Sequence, residues 1–422
     1  MAKSKEELIK FIRQQRDEKN YTGLPLKGVR VLDMSTIVAA PSAAMLLGDA
    51  GAEVIKIENP SVPDGLRAWS VIEENGIQPY YAVIGRNKFP VTINLKSEDG
   101  KQIFFKLIQQ ADVFIENLRP GSMEKMGLGT DRMLELNPGL LIGKVSGYGQ
   151  TGPYAMKPGF GTLAEAFSGF TFLNAHPGGP PTSPPMALAD FIAGLHLAFA
   201  VVISLRAQKR MVSGGQVIDI SLYEPLFSLL GAEFLSYYLT GEVPQPIGNE
   251  LRGAAPRNNY RTREGDWVAL SCSSQGTWER LAEAMGRQDM IKDPRFLTNE
   301  QRITTESRRI LNETIQEWIG SKGTEEFFDI CTKQGLTAGP IPNMQGIGDN
   351  KHYQERKTIV EIEDPATGIM MKMPDIAYRM LGAPAKIRFA GLPVGSANEV
   401  IYQDLLGFSA EDIDRFKKEG TI

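Results

Sequence analysis

Asp190 is the carboxylate with the most chemical promise in the chain. It stands between Met186-Ala-Leu-Ala and Phe191-Ile-Ala-Gly-Leu, with apolar neighbours on both sides. An aspartate opening an apolar helical run serves as an N-cap for the first orphan amides. The positive end of the helix also keeps such a carboxylate ionised and available as a nucleophile, so the two roles are compatible. Asn117-Leu118-Arg119, with Lys125 a few residues on, follows a predicted strand ending at Glu116. Basic groups just past a strand's carboxyl end are where a phosphate-bearing ligand lies in an open α/β sheet; an ordinary solvated turn is the alternative. Gly147-Tyr148-Gly149-Gln-Thr-Gly152 matches GxGxxG, but Pro153 and Pro158 block the helix that would hold a pyrophosphate, so no dinucleotide is expected. Cys272 has no histidine near it in sequence, and neither a GxSxG elbow nor a P-loop occurs.

The elements that must position these groups are legible in outline. Val29–Asp33 and Ala52–Glu58 read as strands flanking a helix over 42–50 that closes at Gly51, which makes a βαβ unit and a parallel sheet. Strands over 88–96 (with Pro90 an awkward member), 111–116 and 140–145 follow, with helices at 100–110 and 130–136, so the first 150 residues predict a doubly wound α/β domain. Residues 149–190 are dense in Gly and Pro and are expected to form a long segment over a site. A helix over 190–210, a strand over 216–222 and a helical stretch over 223–240 come next. A smaller α/β domain is predicted beyond 260, with a strand at 267–271 and helices at 276–286, 301–320 and 324–334. Two strand-like stretches at 358–362 and 369–373 precede a final helix at 409–418.

Composition bounds the rest. The chain has 422 residues, 42% hydrophobic and 23% charged, which excludes a disordered chain. A net charge of −4 gives no sign of nucleic acid or an anionic membrane as partner. Two cysteines and three scattered histidines (His176, His196, His352) argue against a disulfide framework, a Cys-rich zinc site and a His-based metal centre, leaving carboxylate sites open. The charged N-terminal residues lack an apolar core, so no signal peptide is read. The apolar run Phe191–Leu205 falls short of the roughly 20 residues of a bilayer span and reads as a buried helix. The expectation is a soluble, cytoplasmic protein.

Several stretches together resemble the class III CoA-transferase family, which includes formyl-CoA transferase and carnitine CoA-transferase. They are Leu26-Lys-Gly-Val-Arg-Val-Leu-Asp33, Gly51-Ala-Glu-Val-Ile-Lys-Ile-Glu58, Arg86-Asn-Lys88 with Asn94-Leu95-Lys96, and Ala111-Asp-Val-Phe-Ile-Glu-Asn117 with Arg119-Pro-Gly121. Ser146-Gly-Tyr-Gly-Gln-Thr-Gly-Pro153, Asp190-Phe-Ile-Ala-Gly194 and Gly214-Gly-Gln-Val-Ile-Asp-Ile-Ser-Leu222 continue the series in order over nearly the whole chain.

The resemblance implies CoA transfer from an acyl-CoA donor, succinyl-CoA being a reasonable one, to a carboxylic acid acceptor. Asp190 holds the family's catalytic position. There it attacks the donor thioester to give a mixed anhydride, and the released CoA thiolate converts this to an aspartyl-CoA thioester. Backbone amides of the Val38-Ala39 turn are the implied oxyanion donors. Asn94, Leu95 and Lys96 match the adenine-side stretch; Asn117, Leu118 and Arg119 match the turn beside pantetheine and phosphates. Lys125 stands where a phosphate-binding arginine is usual, and Tyr148 belongs to the Gly-Tyr-Gly motif. Asn59 replaces another nucleotide-contacting arginine, so phosphate binding is expected to weaken or to pass to Arg67 or Arg119. CoA enters as substrate, and no permanently bound cofactor or metal is implied.

The implied fold is a large Rossmann-like domain from residues 1–222 and 376–422, a linker over 223–260, a small α/β domain over 261–345 and a return linker over 346–375. Two subunits, identical or related, interlock in that family. Two other readings stay open. The α-methylacyl-CoA racemases of the same fold need a histidine after the Gly159 turn, where this chain has Phe160-Gly161. A non-catalytic CoA-binding partner subunit is the other reading.

Overall fold

Strand formation begins where the β-branched runs are densest. β1 (Arg30–Asp33), β2 (Glu53–Glu58), β3 (Lys88–Thr92), β4 (Val113–Glu116), β5 (Leu141–Ser146) and β6 (Gln216–Ser221) form one sheet in the order β3-β2-β1-β4-β5-β6. Every neighbouring pair is parallel. The doubly wound architecture predicted for the first 150 residues is present, with β6 added from beyond them, and the strand order reverses direction between β1 and β4. The structure is a computed structural model that describes residues 3–72 and 75–422.

Alternation along the strands builds two cores. Leu32, Ile55, Phe89, Phe114 and Ile142 face one side, where they meet the helix Glu98–Gln109 and the C-terminal residues Phe389, Val400, Ile401, Tyr402 and Phe416. Val31, Val54, Val113, Ile115 and Leu141 face the other, under the helices Ala39–Asp49 and Leu188–Lys209. Pro90 is tolerated because β3 is an edge strand. The end of the chain is tied to that edge: Tyr402 Oη donates to the Thr92 carbonyl at 2.7 Å, and the Asn94 amide donates to the Thr421 carbonyl at 2.7 Å.

The helix Leu188–Lys209 has 22 residues, enough to cross a bilayer by length and composition. It is half-buried rather than buried. Ala189, Ala193, Gly194, Leu197, Ala198 and Val201 face the core, while Phe191, Leu195, Phe199, Val202 and Ile203 are exposed. Its small buried residues let the Ala39 helix approach closely: a Cβ on Gly194 would collide with Ser42 Oγ and the Ala39 carbonyl.

The chain divides into two units. The first runs to Phe170 and resumes over Ser183–Ser236 and Tyr353–Ile422; the second holds Thr171–Thr182 and Tyr237–His352. The first therefore takes both ends of the chain. The second has its own core of Tyr260, Val268, Leu270, Trp278, Leu311, Ile315 and Phe327. Its sheet is β7 (Arg257–Arg261), β8 (Trp267–Ser271) and β9 (Ala338–Pro340), antiparallel throughout. The stretch 223–260 carries helices Tyr223–Ser228 and Gly231–Thr240 as well as β7. Strands Ile359–Glu363 and Met370–Pro374 form a hairpin. The Gly- and Pro-rich stretch after β5 is partly helical, at Gly161–Phe167 and Phe170–Leu173.

Candidate active site

In an open parallel sheet, ligands lie beyond the carboxyl ends of the strands, at the point where strand order reverses. Here that point is the crevice between the ends of β1 and β4. The chain leaving β1 passes through Ser35, Thr36 and Ile37 into the Ala39 helix; the chain leaving β4 passes into Asn117-Leu118-Arg119. The Thr36 amide donates to Asn117 Oδ1 at 2.9 Å, and Asn117 Nδ2 donates to the Thr36 carbonyl at 2.8 Å.

The loop after β1 is held by buried charge. Lys88 Nζ bonds Asp33 Oδ2 at 2.8 Å and the Pro41 carbonyl at 2.7 Å. Lys56 Nζ reaches the Ser35 carbonyl and lies 3.1 Å from Asp64 Oδ2. Asp64 Oδ1 in turn accepts the Ile37 amide at 2.9 Å. Burial raises the Asp33 carboxyl, but Lys56 and Lys88 outweigh it and hold it at about 2. This scaffold sustains a strained backbone: Ile37, a β-branched residue, has φ of 69°. Val38 then forms the N-cap position without a side-chain cap bond, leaving the amides at the start of the Ala39 helix facing the crevice end of the sheet.

Asp190 reaches the same edge. The helix carrying it runs back from the end of β5 toward β6, so its first turn lies at the carboxyl edge. The helix begins at Leu188 with Ala187 as N-cap, so Asp190 is its third residue and not the cap that spacing suggested. Ala187 packs into the cluster of Val38, Leu66, Tyr81 and Ile84. Gly194, one turn beyond Asp190 on the same face, meets Ala39 and Ser42. These contacts bring the start of the Asp190 helix against the Val38-Ala39 turn. Burial, then the charge of Glu165, push the Asp190 carboxyl up to about 6. The simple expectation of an aspartate held low by the helix end is therefore corrected: desolvation and a second carboxylate win.

The other residues matched to the CoA side from sequence lie on unit one, following β3, β4 and β5. Asn94, Leu95 and Lys96 follow β3; Asn94 Nδ2 donates to the Gly420 carbonyl at 3.2 Å, Leu95 packs on the core and Lys96 is exposed. Leu118 packs on the same core, while Arg119 and Lys125 project as exposed cations. Tyr148 follows β5 and meets Phe167 edge-on at 5.3 Å and Tyr154 at 5.7 Å. Arg67 is not free for a phosphate. Its guanidinium bonds Glu58 at 2.9 and 2.6 Å, the Leu392 carbonyl at 3.0 Å and the Tyr81 hydroxyl.

Three groups escaped the sequence reading. Glu116 closes β4 with its carboxylate on the Leu118 amide at 2.6 Å, and burial pushes it up to about 7. Gly161 lies so close to Asp190 that a Cβ there would fall on the carboxylate. Glu165 accepts the amides of Leu188 and Ala189 at 3.1 and 3.3 Å. No spacing rule links 161 or 165 to 190. Among the described residues no group of three or more metal-ligating side chains occurs.

Comparison with known proteins shows the family and the fold. The succinyl-CoA–L-malate CoA-transferase alpha subunit of Chloroflexus aurantiacus is 36% identical, over 94% of this chain and 93% of its own. The succinyl-CoA–D-citramalate CoA-transferase of the same organism is 35% identical, over 94% and 98%. The crystal structure of a CaiB/BaiF family protein from Brucella suis superposes with a TM-score of 0.79 at 26% identity, covering 90% of this chain and 99% of that one. The family model for CoA-transferase family III matches residues 26–398, a span that includes the reversal point, the Val38-Ala39 turn and the Asp190 helix, and the chain belongs to that family.

Proposed function

We propose that this protein transfers CoA from an acyl-CoA donor to a carboxylic acid through an acyl-enzyme and then a thioester on Asp190. One observation carries the reading: a partly buried carboxylate in the first turn of a helix, set against the Val38-Ala39 turn at the sheet's reversal point. Asp190 attacks the donor carbonyl; the acyl C–S bond breaks and CoA leaves as thiolate. The thiolate then attacks Asp190 Cγ, releasing the donor acid as carboxylate and leaving aspartyl-CoA. The acceptor carboxylate repeats the exchange in reverse order, so no net proton moves. The amides of the Val38-Ala39 turn supply donors for the oxyanions. Asn117, Leu118, Arg119, Lys125 and Tyr148 line the strand ends as the pantetheine and phosphate side, with Asn94, Leu95 and Lys96 on the adenine side.

The relatives named for malate and citramalate support succinyl-CoA as donor and a small hydroxy-dicarboxylic acid as acceptor. The exposed apolar row Phe191, Leu195, Phe199, Val202 and Ile203 supports a dimer that covers it, homomeric or with a related chain. The racemase reading is the weaker one: His196 is exposed, with Nδ1 2.9 Å from its own helix's Ile192 carbonyl, and supplies no base at the crevice.

Intact-mass measurement after mixing with succinyl-CoA tests the proposal. A CoA-sized adduct on the peptide containing Asp190, converted by hydroxylamine to an Asp190 hydroxamate with release of CoA and absent from a folded Asp190→Ala protein, is the expected result. Full turnover by Asp190→Ala would overturn it.

A further inference from the structure

We propose that Glu165 is a positioning residue for Asp190: its buried carboxylate caps the helix that carries the nucleophile and sets a second negative charge beside it, so that acylation of Asp190 relieves a like-charge contact. The inference rests on the reading of Asp190 as nucleophile and concerns what prepares it.

The cap follows from what the chain lacks locally. Leu188 and Ala189 open the Asp190 helix, and their amides have no intrahelical acceptor; the Leu188 amide has the Met186 carbonyl at 2.8 Å, while the Ala189 amide has no backbone acceptor. The N-cap residue is Ala187, which has no side-chain acceptor to offer. Glu165 Oε1 takes both amides instead, at 3.1 and 3.3 Å, from the separate helix Gly161–Phe167. Gly161 and Glu165 are one turn apart and share a face of that helix. That face delivers Glu165 to the amides and the bare Gly161 backbone to the Asp190 carboxylate.

The charge is the part that asks for a function. Glu165 is 2% exposed, and no cation pairs with it among the described residues. A glutamine oxygen would accept the same two bonds without bringing an unpaired charge into the interior, where it is costly. The helix end offsets part of that cost.

The charge acts on Asp190 and little else does. The elements packed against the Asp190 helix carry other charged groups, and each is engaged elsewhere. Glu224 accepts from Ser221 Oγ at 2.7 Å, and Asp219 accepts the Gln150 amide at 3.0 Å. Lys144 pairs with Glu124 at 3.4 Å, and Asp49, at the far end of the Ala39 helix, pairs with Arg86. After burial, Glu165 is the group that raises the Asp190 carboxyl. A more basic carboxylate is the stronger nucleophile, and position 190 is uncharged in both the anhydride and the thioester. Forming either intermediate therefore removes a repulsion, and regenerating the carboxylate restores it.

Three variants separate cap from charge: Glu165→Gln, Glu165→Asp and Glu165→Ala, with Asp190→Ala as control. The readouts are the thermal midpoint and the pH dependence of single-turnover CoA-adduct formation from succinyl-CoA. Glu165→Gln keeps the cap and is expected to melt near wild type, while its acid limb moves down by about half a pH unit or more and its plateau rate falls severalfold. Glu165→Asp keeps the charge on a shorter arm; it should melt lower, with the limb close to wild type. Glu165→Ala should show both losses. An Asp190-dependent adduct whose profile is unchanged in Glu165→Gln refutes the charge role, and equal melting of Glu165→Ala and Glu165→Gln refutes the cap. An adduct that survives Asp190→Ala overturns the nucleophile reading instead.

Discussion

Asn117 and Thr36 exchange a reciprocal pair of hydrogen bonds, 2.9 Å from the Thr36 amide and 2.8 Å to its carbonyl. A side-chain amide thus does between the ends of β1 and β4 what the next ladder pair of the sheet would have done. It holds the two chains at a fixed spacing while their backbones part to open the crevice. Asn117→Ala removes both bonds at once. The expected result is a loss of about 1–2 kcal/mol in urea unfolding, with a raised KM for acyl-CoA and a smaller effect on kcat. A variant with unchanged KM would show that the spacing does not serve the ligand.

Much of the fold was legible because it is periodic. The strand Trp267–Ser271 and the helix Thr324–Gln334 alternate or repeat cleanly and fall where the pattern places them. β7 reads Arg-Asn-Asn-Tyr-Arg and has no strand signal of its own; it forms because Tyr260 enters the core and the rest pairs with β8. The helix Gly161–Phe167 is hidden by the glycines and prolines around it. At the site, the Asp190 carboxylate was visible through its apolar neighbours, but its relation to Glu165 and Gly161 was not. Residues 25 to 29 apart with no periodic link meet only through the packing of two helices.

The pH profile should carry the mark of burial. Asp190 acts as a carboxylate, and its carboxyl is pushed up to about 6. Turnover is therefore expected to fall as pH drops through about 6, not through the usual aspartate range near 4. The stability sign is opposite. Because the folded form binds its proton more tightly than the unfolded chain, this group favours folding most at low pH and ceases to as pH rises through 6. Asp190→Asn, which carries no charge, should melt higher than wild type at pH 8 and lose that advantage at pH 4. Equal melting curves at both pH values would count against the burial argument.

Lys88 and Asp33 form an ion pair in which both side chains are wholly buried, 2.8 Å apart. Lys88→Met keeps the volume and strips Asp33 of its nearer cation, leaving Lys56 at 3.8 Å. A cost of about 3–5 kcal/mol is expected, read from the shift of the urea midpoint. The pH dependence should change with it. In the wild type the stability from Asp33 is present above its ordinary value of 3.8 and is lost as pH falls through about 2. In Lys88→Met the loss should begin at higher pH. A cost under about 1 kcal/mol would mean that the pair is not what holds the loop after β1.

Gly161 gives the most selective test of the site's geometry. Its φ is not in the left-handed region, so alanine fits the backbone, and alanine favours the helix by about 1 kcal/mol over glycine. Its Cβ, however, would occupy the place of Asp190 Oδ2. Either the carboxylate rotates away or the two helices separate, and both misplace the nucleophile relative to the Val38-Ala39 turn. A shift of about 1 Å in a reacting group costs on the order of 100-fold in rate. Gly161→Ala should therefore keep its circular dichroism and bind acyl-CoA with a KM near wild type, while kcat drops by about that factor. Gly159→Ala is the matched control. There a Cβ would press on Gly147 at 2.7 Å and disturb the Gly-Tyr-Gly turn, not Asp190, so it should shift KM more than kcat. If Gly161→Ala turns over normally, the carboxylate has room to work from another position and the close contact is incidental to catalysis.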